Sequence, residues 1–199
     1  MTKKKDPAMG NLGYERIDDD FYPTPPWMMD AAIPQLIKHN VIEVGNTIWE
    51  PACGEGHMCK VFQAKGFHTV CTDLVDRGYG ISGLDFLKTN EIPDGVTSII
   101  TNPPYNLALE FVEHSLDLMS SVNGSVAMVL RNEWDSALTR RHLFYRNHFF
   151  KMKLVYTSRP KWVEGSTGSP RHNFALFVWD FKNSSYPILE YAHRNEEHR

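Results

Sequence analysis

The 199-residue sequence lacks an apolar run long enough to cross a membrane, and its first residues form no apolar signal segment. It also lacks internal repeats. Its length indicates one domain, and its 42% hydrophobic and 12% aromatic content is that of a globular protein rather than a disordered one. We therefore expect a soluble, cytoplasmic, single-domain protein that does not associate with membranes.

Cysteine is scarce, with Cys53, Cys59 and Cys71 forming an odd set without a Cys-x-x-Cys pair. We expect reduced, packed thiols in this arrangement. A zinc site would require His57 and His68 to join them, and their predicted helix and strand positions do not favour that. The sequence therefore predicts no metal.

Positive charge is scarce over most of the chain. Residues 1–130 hold nine Lys and Arg against seventeen Asp and Glu, whereas residues 131–172 hold nine against three. A basic segment on an acidic body indicates a polyanion-binding face, because phosphate contacts supply most sequence-independent affinity for nucleic acid. Ordinary scatter of solvated charge is the alternative.

Polar segments flank the predicted domain. Residues 1–13 indicate a flexible tail and residues 183–199 a polar C-terminal tail, which leaves 14–182 as the folded domain.

Inside the domain, short apolar runs alternate with longer amphipathic ones. Strands are predicted at 47–51, 68–74, 81–84, 96–101, 125–131, 153–157 and 173–180. Helices are predicted at 57–65, 107–119 and 136–147, the last one basic. This order predicts an α/β fold with a mostly parallel seven-stranded sheet and helices on both faces. Ligands of such sheets bind at the carboxyl ends of the strands.

The sharpest motif is Asn102-Pro103-Pro104-Tyr105, directly after the predicted strand at 96–101. Two prolines restrict the backbone and hold this loop rigid. The Asn102 side-chain oxygen and the Pro103 carbonyl can then accept the two hydrogens of a conjugated amino group and localise its lone pair. Tyr105 offers an aromatic face to a base. The alternative is a rigid loop in which Tyr105 merely packs at the rim.

A second motif, Glu50-Pro51-Ala52-Cys53-Gly54-Glu55-Gly56, follows the first predicted strand and opens a helix. Its glycines permit positive φ and close backbone approach, as a nucleotide-type cofactor requires. It is neither a Gly-x-Gly-x-x-Gly motif nor a phosphate loop. Glu50 would repel a phosphate and suits a cationic or amino-bearing ligand.

Acidic residues end the next two predicted strands. Asp73 occupies the usual place of an acid that binds ribose hydroxyls. Asp85-Phe86 suits an adenine, with an acceptor for its amino group and a ring to stack on it. Taken singly, Asp73 and Asp85 are more often turn-formers or helix caps.

In this order and spacing, the four segments resemble motifs I to IV of the amino-group DNA methyltransferases. Upstream, Asp20-Phe21-Tyr22-Pro23-Thr24-Pro25 resembles their cofactor motif X. The resemblance covers about residues 19–110. It implies a Rossmann-like class I methyltransferase fold, S-adenosylmethionine as cofactor and the N6 amino group of adenine in DNA as target.

The same resemblance implies residue roles. Thr24 and Glu50 should lie at the methionine end of the cofactor, Asp73 at its ribose, and Asp85 and Phe86 at its adenine. The cofactor-binding residues implied are Tyr22, Thr24, Glu50, Ala52, Gly54, Gly56, Asp73, Leu74, Asp85, Phe86 and Asn102. The catalytic segment implied is Asn102, Pro103, Pro104 and Tyr105, with Tyr105 stacked on a base flipped out of the duplex.

The motifs specify the methylated substrate less closely than they specify the fold. Asn102, where some relatives have serine, favours adenine over the cytosine amine. Asn-Pro-Pro-Tyr also occurs in methyltransferases that act on RNA or on protein glutamine. The segment Phe21–Pro25 and the Glu-Pro-Ala-Cys-Gly form of motif I favour DNA. A non-catalytic cofactor-binding module is a further alternative, which the intact motif at Asn102 disfavours.

The sequence has no room for a separate target-recognition domain, so we expect loops to contact DNA. The predicted DNA contacts are Arg140, Arg141, Lys161, Trp162 and Arg171. Individually these arginines could be solvated charges, and Trp162 could be loop packing. A compact enzyme of this kind resembles solitary phage methyltransferases, which implies neither a paired restriction enzyme nor an obligate protein partner.

Overall fold

The computed structural model describes residues 21–162, 170, 172–183 and 185–194. Within these residues, seven strands form one sheet in the order β2-β1-β3-β4-β6-β5-β7. The strands are β1 (Thr47–Glu50), β2 (His68–Cys71), β3 (Val96–Thr101), β4 (Ser125–Arg131), β5 (Phe150–Tyr156), β6 (Phe174–Asp180) and β7 (Ile188–Ala192).

Strand direction defines two edges of the sheet. β1 to β4 pair in parallel, β6 is antiparallel to both β4 and β5, and β7 is parallel to β5. The prediction of a seven-stranded α/β sheet is confirmed, and the sheet is mixed because β6 runs against the other strands. All strands except β6 therefore end at one edge, which we call the carboxyl edge.

Helices cover both faces of the sheet, as predicted. The helices are α1 (Pro26–Lys38), α2 (His57–Ala64), α3 (Ala108–Ser120) and the one-turn α4 (Arg141–Phe144). Neighbouring strand residues point into opposite cores, so Ile100 packs with α1 and α2 while Ile99 packs with α3. No described helix is long and apolar enough to cross a membrane.

The sequence analysis predicted no helix over α1, which contains Pro26 and Pro34. Pro26 occupies the first helical turn, where its fixed φ suits the helix and its missing N–H is not needed. Pro34 is exposed. The apolar face repeats at helical spacing and is buried; it consists of Trp27, Met28, Met29, Ala32, Ile33 and Leu36.

Two predicted elements are much shorter than expected. The strand predicted at 81–84 is reduced to one bridge between Thr72 and Ile81. The basic helix predicted at 136–147 is a 3₁₀ turn, Leu138–Arg140, followed by α4. At the end of α4, the Leu143 carbonyl accepts a hydrogen bond from the buried Trp179 indole at 2.9 Å. Beyond α4, Arg146 has a φ of 57°, which is not helical.

The polar C-terminal tail predicted over 183–199 is wrong at 188–192, where β7 extends the sheet beyond β5. The strand alternates half-buried and exposed residues, so its composition looks polar although its backbone pairs with β5. The predicted tail at 1–13 lies outside the described residues.

The burial of the central strand β6 leads to a prediction about stability. Leu176→Ala on β6 removes a fully buried side chain, so we expect a loss of about 2–5 kcal/mol in the free energy of unfolding. Leu189→Ala on β7 removes a side chain that is 58% exposed, and we expect a change within about 0.5 kcal/mol. Urea denaturation of both variants measures this difference, and equal losses would contradict the described core.

Candidate active site

The carboxyl edge gathers the residues that carry the predicted chemistry. Glu50 ends β1, Asp73 lies just beyond β2, and Asn102 directly follows β3. Trp162 lies beyond the end of β5, at the same edge. The parallel order of these strands brings together residues that are far apart in the sequence.

The side-chain amide of Asn102 is fixed from one side. Its Nδ2 donates to the Tyr22 backbone carbonyl at 3.1 Å and to the Thr24 hydroxyl oxygen at 3.0 Å. A carbonyl can only accept a hydrogen bond, so the amino nitrogen has to face Tyr22. The amide therefore has one defined orientation.

That orientation leaves Asn102 Oδ1 facing away from Tyr22 and Thr24. The atom is buried and has no hydrogen-bond partner among the described residues. A buried acceptor without a partner loses its hydration with nothing in exchange, which is unfavourable by about 1–3 kcal/mol. It is therefore an acceptor poised for a donor that enters from outside the chain.

The two prolines set the course of the backbone after Asn102. Pro104 has φ −58° and ψ 122°, and its carbonyl accepts the Leu107 N–H at 2.9 Å within the 3₁₀ turn Tyr105–Leu107. This turn leads directly into α3. The loop is held at both ends, as the sequence predicts for a rigid segment.

Tyr105 belongs to an aromatic cluster, which consists of Tyr22, Tyr105, Trp162 and Phe174. The rings of Tyr22 and Tyr105 stack with centroids 5.9 Å apart, and Trp162 meets Phe174 edge-on at 4.8 Å. Trp162 also contacts the rings of Tyr22 and Tyr105. Tyr105 and Trp162 are half-buried, so the cluster presents aromatic surface at the carboxyl edge.

The glycine motif forms a tight turn between β1 and α2. Gly54 and Gly56 have φ of 54° and 77°, a region that side chains disfavour. Asp73 Oδ2 accepts the Gly54 N–H at 2.8 Å and ties β2 to this turn. A Cβ at Gly54 would overlap the Phe21 ring, and a Cβ at Gly56 would overlap the Tyr79 ring.

Glu50 is buried at the base of this turn, with 3% of its surface exposed. Burial raises the pKa of its carboxyl well above the ordinary value, and the negative charge of Asp73 raises it further. A hydrogen bond from the Cys59 backbone opposes these two effects. The base of the turn therefore favours either a neutral carboxyl or a carboxylate beside a bound cation.

The three cysteines pack together with Tyr79, and Cys59 contacts the Glu50 carboxyl. Cys59 and Cys71 form a disulfide and Cys53 is a buried free thiol, so the expectation of three reduced thiols is wrong for this structure. The cause is spatial, because α2 brings Cys59 against the end of β2. In the described part of the chain, no group of His, Cys, Asp or Glu is arranged to hold a metal ion.

The remaining predicted cofactor residues lie around the turn in different environments. Ala52 is half-buried and Leu74 is 61% exposed. Lys88 pairs with Asp85 at 2.7 Å and lowers the pKa of that carboxyl. The ring of Phe86 is 2% exposed and contacts Trp49 and Phe111, among others.

That burial matters for the adenine role predicted for Phe86. The neighbours of its ring also include His114, with centroids 4.9 Å apart. The structure thus places Phe86 in the core that faces α3. Stacking on a ligand ring would require one of these neighbours to move.

The predicted DNA contacts fall into two groups. Lys161 is exposed and lies with Trp162 at the carboxyl edge. Arg140 packs on the Trp134 ring and donates to the Trp134 carbonyl, and Arg141 is exposed over the Tyr145 ring. Arg171 lies outside the described residues.

Arg140 and Arg141 differ in position, since Arg140 contacts Trp134, whose N–H donates to the carbonyl of Arg131 at the end of β4. After β4 the chain crosses the face of the sheet to reach the start of β5 at the opposite edge. The Leu143 carbonyl of α4 meets Trp179, which is near the end of the antiparallel β6 and hence near that opposite edge. Arg141, which begins α4, is therefore displaced from the carboxyl edge.

Sequence reasoning missed several residues of this site. Phe21 and Tyr79 cover the two glycines, and the Arg77 guanidinium stacks 4.1 Å above the Phe21 ring. Phe174 was read only as strand. A side-chain amide such as that of Asn102 needs hydrogen-bond partners, but nothing in the sequence identifies the Tyr22 carbonyl as one of them.

The buried Glu50 generates a prediction about stability and pH. We expect Glu50→Gln to raise the free energy of unfolding of the ligand-free protein with its disulfide intact at pH 8, because the variant buries no charge. The folded-state pKa lies above 4.5, so wild-type stability falls as pH rises from that value through the folded pKa. The advantage of the variant should grow over the same interval, by about 1.4 kcal/mol for each tenfold change in the dissociation constant.

Denaturation of both proteins between about pH 5 and pH 9 measures this. Glu55→Gln makes the same chemical change in the same turn, at a side chain that is 53% exposed, and serves as control. Parallel curves for wild type and Glu50→Gln would contradict a raised pKa.

No protein-family model and no curated protein matches the sequence. Solved structures do match. A Listeria monocytogenes protein assigned as a class I S-adenosylmethionine-dependent methyltransferase superposes with a TM-score of 0.61 and 13% identity, covering 85% of this chain and 65% of that one. The methyltransferase subunit of a type I restriction-modification system from Streptococcus thermophilus gives 0.58 and 13%, covering 84% and 47%.

A third match is a Pyrococcus horikoshii protein assigned as an RNA methyltransferase, with a TM-score of 0.61 and 11% identity, covering 85% of this chain and 90% of that one. This chain spans less than two thirds of the length of the first two matches. At these identities the similarity is one of fold. The chain has the Rossmann-like α/β fold that these class I methyltransferases share.

Proposed function

We propose that this protein transfers a methyl group from S-adenosylmethionine to the N6 amino group of adenine in DNA. The observation that carries the proposal is the buried Asn102 Oδ1, which lacks a partner among the described residues and belongs to an amide fixed by Tyr22 and Thr24. The fold that the chain shares with methyltransferases supports it.

The residues around the glycine turn fit the cofactor. Glu50 and Asp73 make the turn acidic, which suits a ligand with a sulfonium and an ammonium group and disfavours a phosphate. The positive φ of Gly54 and Gly56 permits close backbone approach. When bound, S-adenosylmethionine supplies an electrophilic methyl group on sulfur.

The chain's own contribution is to position the amine. An adenine amino group is a poor nucleophile because its lone pair is delocalised into the ring. Asn102 Oδ1 would accept one of its hydrogens and the Pro103 carbonyl the other, so that the lone pair becomes localised and points away from both acceptors. This is preorganised electrostatic stabilisation, because the Asn102 amide is already fixed before the base arrives.

The aromatic cluster supports a base as the substrate. Tyr105 and Trp162 present half-buried rings beside Asn102, and base–aromatic stacking is favourable by about 1–3 kcal/mol. Flipping a base out of a duplex is unfavourable by a few kcal/mol, which such stacking offsets. A protein glutamine side chain has a smaller planar group than a base and would stack on these rings over less area.

DNA rather than RNA is favoured by the sequence of two segments. Phe21–Pro25 supplies the Tyr22 and Thr24 partners of Asn102, and Glu50 begins the Glu-Pro-Ala-Cys-Gly form of motif I. Methyltransferases from restriction-modification systems and one assigned to RNA share the fold, so fold alone does not choose between them.

Asn102→Ala removes the unpartnered acceptor. We expect transfer of labelled methyl from S-adenosylmethionine to unmethylated DNA to fall at least about 100-fold, because one preorganised acceptor contributes on that order. Asn90→Ala, in an exposed loop, is the matched control and should retain activity. Mass spectrometry of the digested nucleosides identifies methyladenine as the product.

Parallel acceptors separate the alternatives. Total RNA and cell protein are incubated with the same labelled cofactor. Label that appears in RNA or protein and never in DNA would overturn the substrate assignment. Bound cofactor without transfer to any acceptor would favour a non-catalytic binding module.

Charge at the carboxyl edge generates a second prediction. Lys161→Ala should weaken binding to DNA of any sequence and reduce the salt dependence of binding by about one ion, because it removes a phosphate contact. Lys182→Ala removes the same charge from an exposed site that follows β6, at the opposite edge, and should leave binding unchanged. Fluorescence anisotropy at several salt concentrations measures both variants, and equal losses would place the DNA elsewhere.

A further inference from the structure

The carboxyl of Glu50 contacts a cysteine. Cys59 Sγ lies 3.0 Å from Glu50 Oε2 inside the protein, and the Cys59 backbone N–H also donates to this carboxyl. Cys59 belongs to the first turn of α2 and is linked to Cys71 at the end of β2. One residue thus contacts the carboxyl through both backbone and side chain.

The oxidation state of Cys59 decides what its sulfur can offer. A thiol carries a hydrogen and can donate it to a carboxylate. A disulfide sulfur carries none and can only accept, so a hydrogen bond between it and Glu50 requires that the carboxyl itself hold the proton and donate it. The two states of sulfur favour opposite protonation states of Glu50.

We propose that Cys59 is a positioning residue for Glu50 and that Cys59 and Cys71 form a redox-sensitive modification site beside the cofactor turn. In the dithiol form, the Cys59 thiol holds Glu50 as a carboxylate and the cationic cofactor binds tightly. In the disulfide form, Glu50 is neutral and the cofactor binds weakly. The inference rests on the proposed function, because it concerns the same cofactor site.

The other groups near Glu50 do not replace this donor. Burial and the negative charges of Glu50 and Asp73 raise the pKa of the Cys53 thiol to about 12, so Cys53 stays neutral. Its sulfur contacts the carbonyls of Gly54 and Tyr79 rather than Glu50. Asp73 opposes negative charge on Glu50. A hydrogen bond from Cys59 is therefore the contribution that redox chemistry can switch.

The Cys59–Cys71 disulfide forms by thiol–disulfide exchange, with a low-molecular-weight disulfide as the oxidant. One cysteine thiolate attacks a sulfur of the oxidant, breaks its S–S bond and releases one thiol. The second cysteine attacks the resulting mixed disulfide, forms the Cys59–Cys71 bond and releases the second thiol. The two cysteine protons end on the released thiols, and a reducing dithiol reverses both steps.

The test compares cofactor binding by the wild-type protein in its two states. Protein oxidised with glutathione disulfide and protein reduced with dithiothreitol are titrated with S-adenosylmethionine in a calorimeter. We expect the reduced form to bind at least about 10-fold more tightly, because a hydrogen bond to a charged group typically contributes that much. Equal affinities would overturn the inference.

Infrared difference spectroscopy provides a second readout that packing alone would not move. The band of a protonated carboxyl, assigned to Glu50 by its loss in Glu50→Gln, should be present in the oxidised protein and disappear on reduction. A band that does not respond to reduction would overturn the proposed link between sulfur and carboxyl.

Variants separate the donor from the cross-link. Cys71→Ser keeps the Cys59 thiol and should bind tightly under both conditions, whereas Cys59→Ala lacks donor and cross-link and should bind weakly under both. Cys53→Ser should retain the wild-type response, since Cys53 is outside the pair. A Cys71→Ser protein that still responds to oxidant would overturn the inference. Failure of every form to bind cofactor would overturn the proposed function as well.

Discussion

The fixed amide of Asn102 is the constraint on which the rest of the site depends. Its amino group is held by the Tyr22 carbonyl and the Thr24 hydroxyl, which lie some eighty residues earlier in the chain. The segment before α1 therefore has to pass across the carboxyl edge, and α1 packs on the core beneath it. The unpartnered Oδ1 is what this arrangement leaves for a substrate.

The sheet makes that arrangement possible with a short chain. Parallel strands place Glu50, Asp73 and Asn102 at a single edge, while the antiparallel β6 returns the chain so that Phe174 begins at the same edge. Phe174 is thus near Tyr105 and Trp162 because of the direction of its strand. The reversed strand, a departure from a parallel sheet, contributes a wall of the aromatic cluster.

Much of this fold could be predicted from local patterns, and the exceptions have physical reasons. The strands at 96–101 and 125–131 have the expected bounds, because buried apolar runs next to turn residues are strong signals. The helix at 26–38, which contains two prolines, was not predicted, and β7 was missed because its segment looks polar. The long basic helix is reduced to a 3₁₀ turn and one α-helical turn, and in the last turn the Leu143 carbonyl accepts from Trp179 rather than from the helix.

The candidate site, like the fold, was predicted where local sequence patterns decide and missed where tertiary contacts decide. Motif spacing placed Glu50, the glycines and Asn102 at one edge, since strand ends define that edge. Motif spacing could not predict the partners of Asn102 or the contact between Cys59 and Glu50. These contacts join separate segments of the chain, and the periodicity of apolar residues carries no information about them. The predicted adenine contact of Phe86 stays a prediction, and spacing did not indicate that its ring also packs on Trp49 and Phe111 in the core.

Burial of Glu50 links stability to ligand binding. Removing a carboxylate from water is unfavourable, so the ligand-free protein with its disulfide intact favours the neutral form of Glu50. The same low-dielectric surroundings strengthen attraction once a cation binds, because charges interact more strongly away from water. An exposed acid would not destabilise the empty protein and would attract a cation only weakly. A buried acid at the end of β1 is therefore the position from which one carboxyl can discriminate most strongly between a cationic ligand and a neutral one.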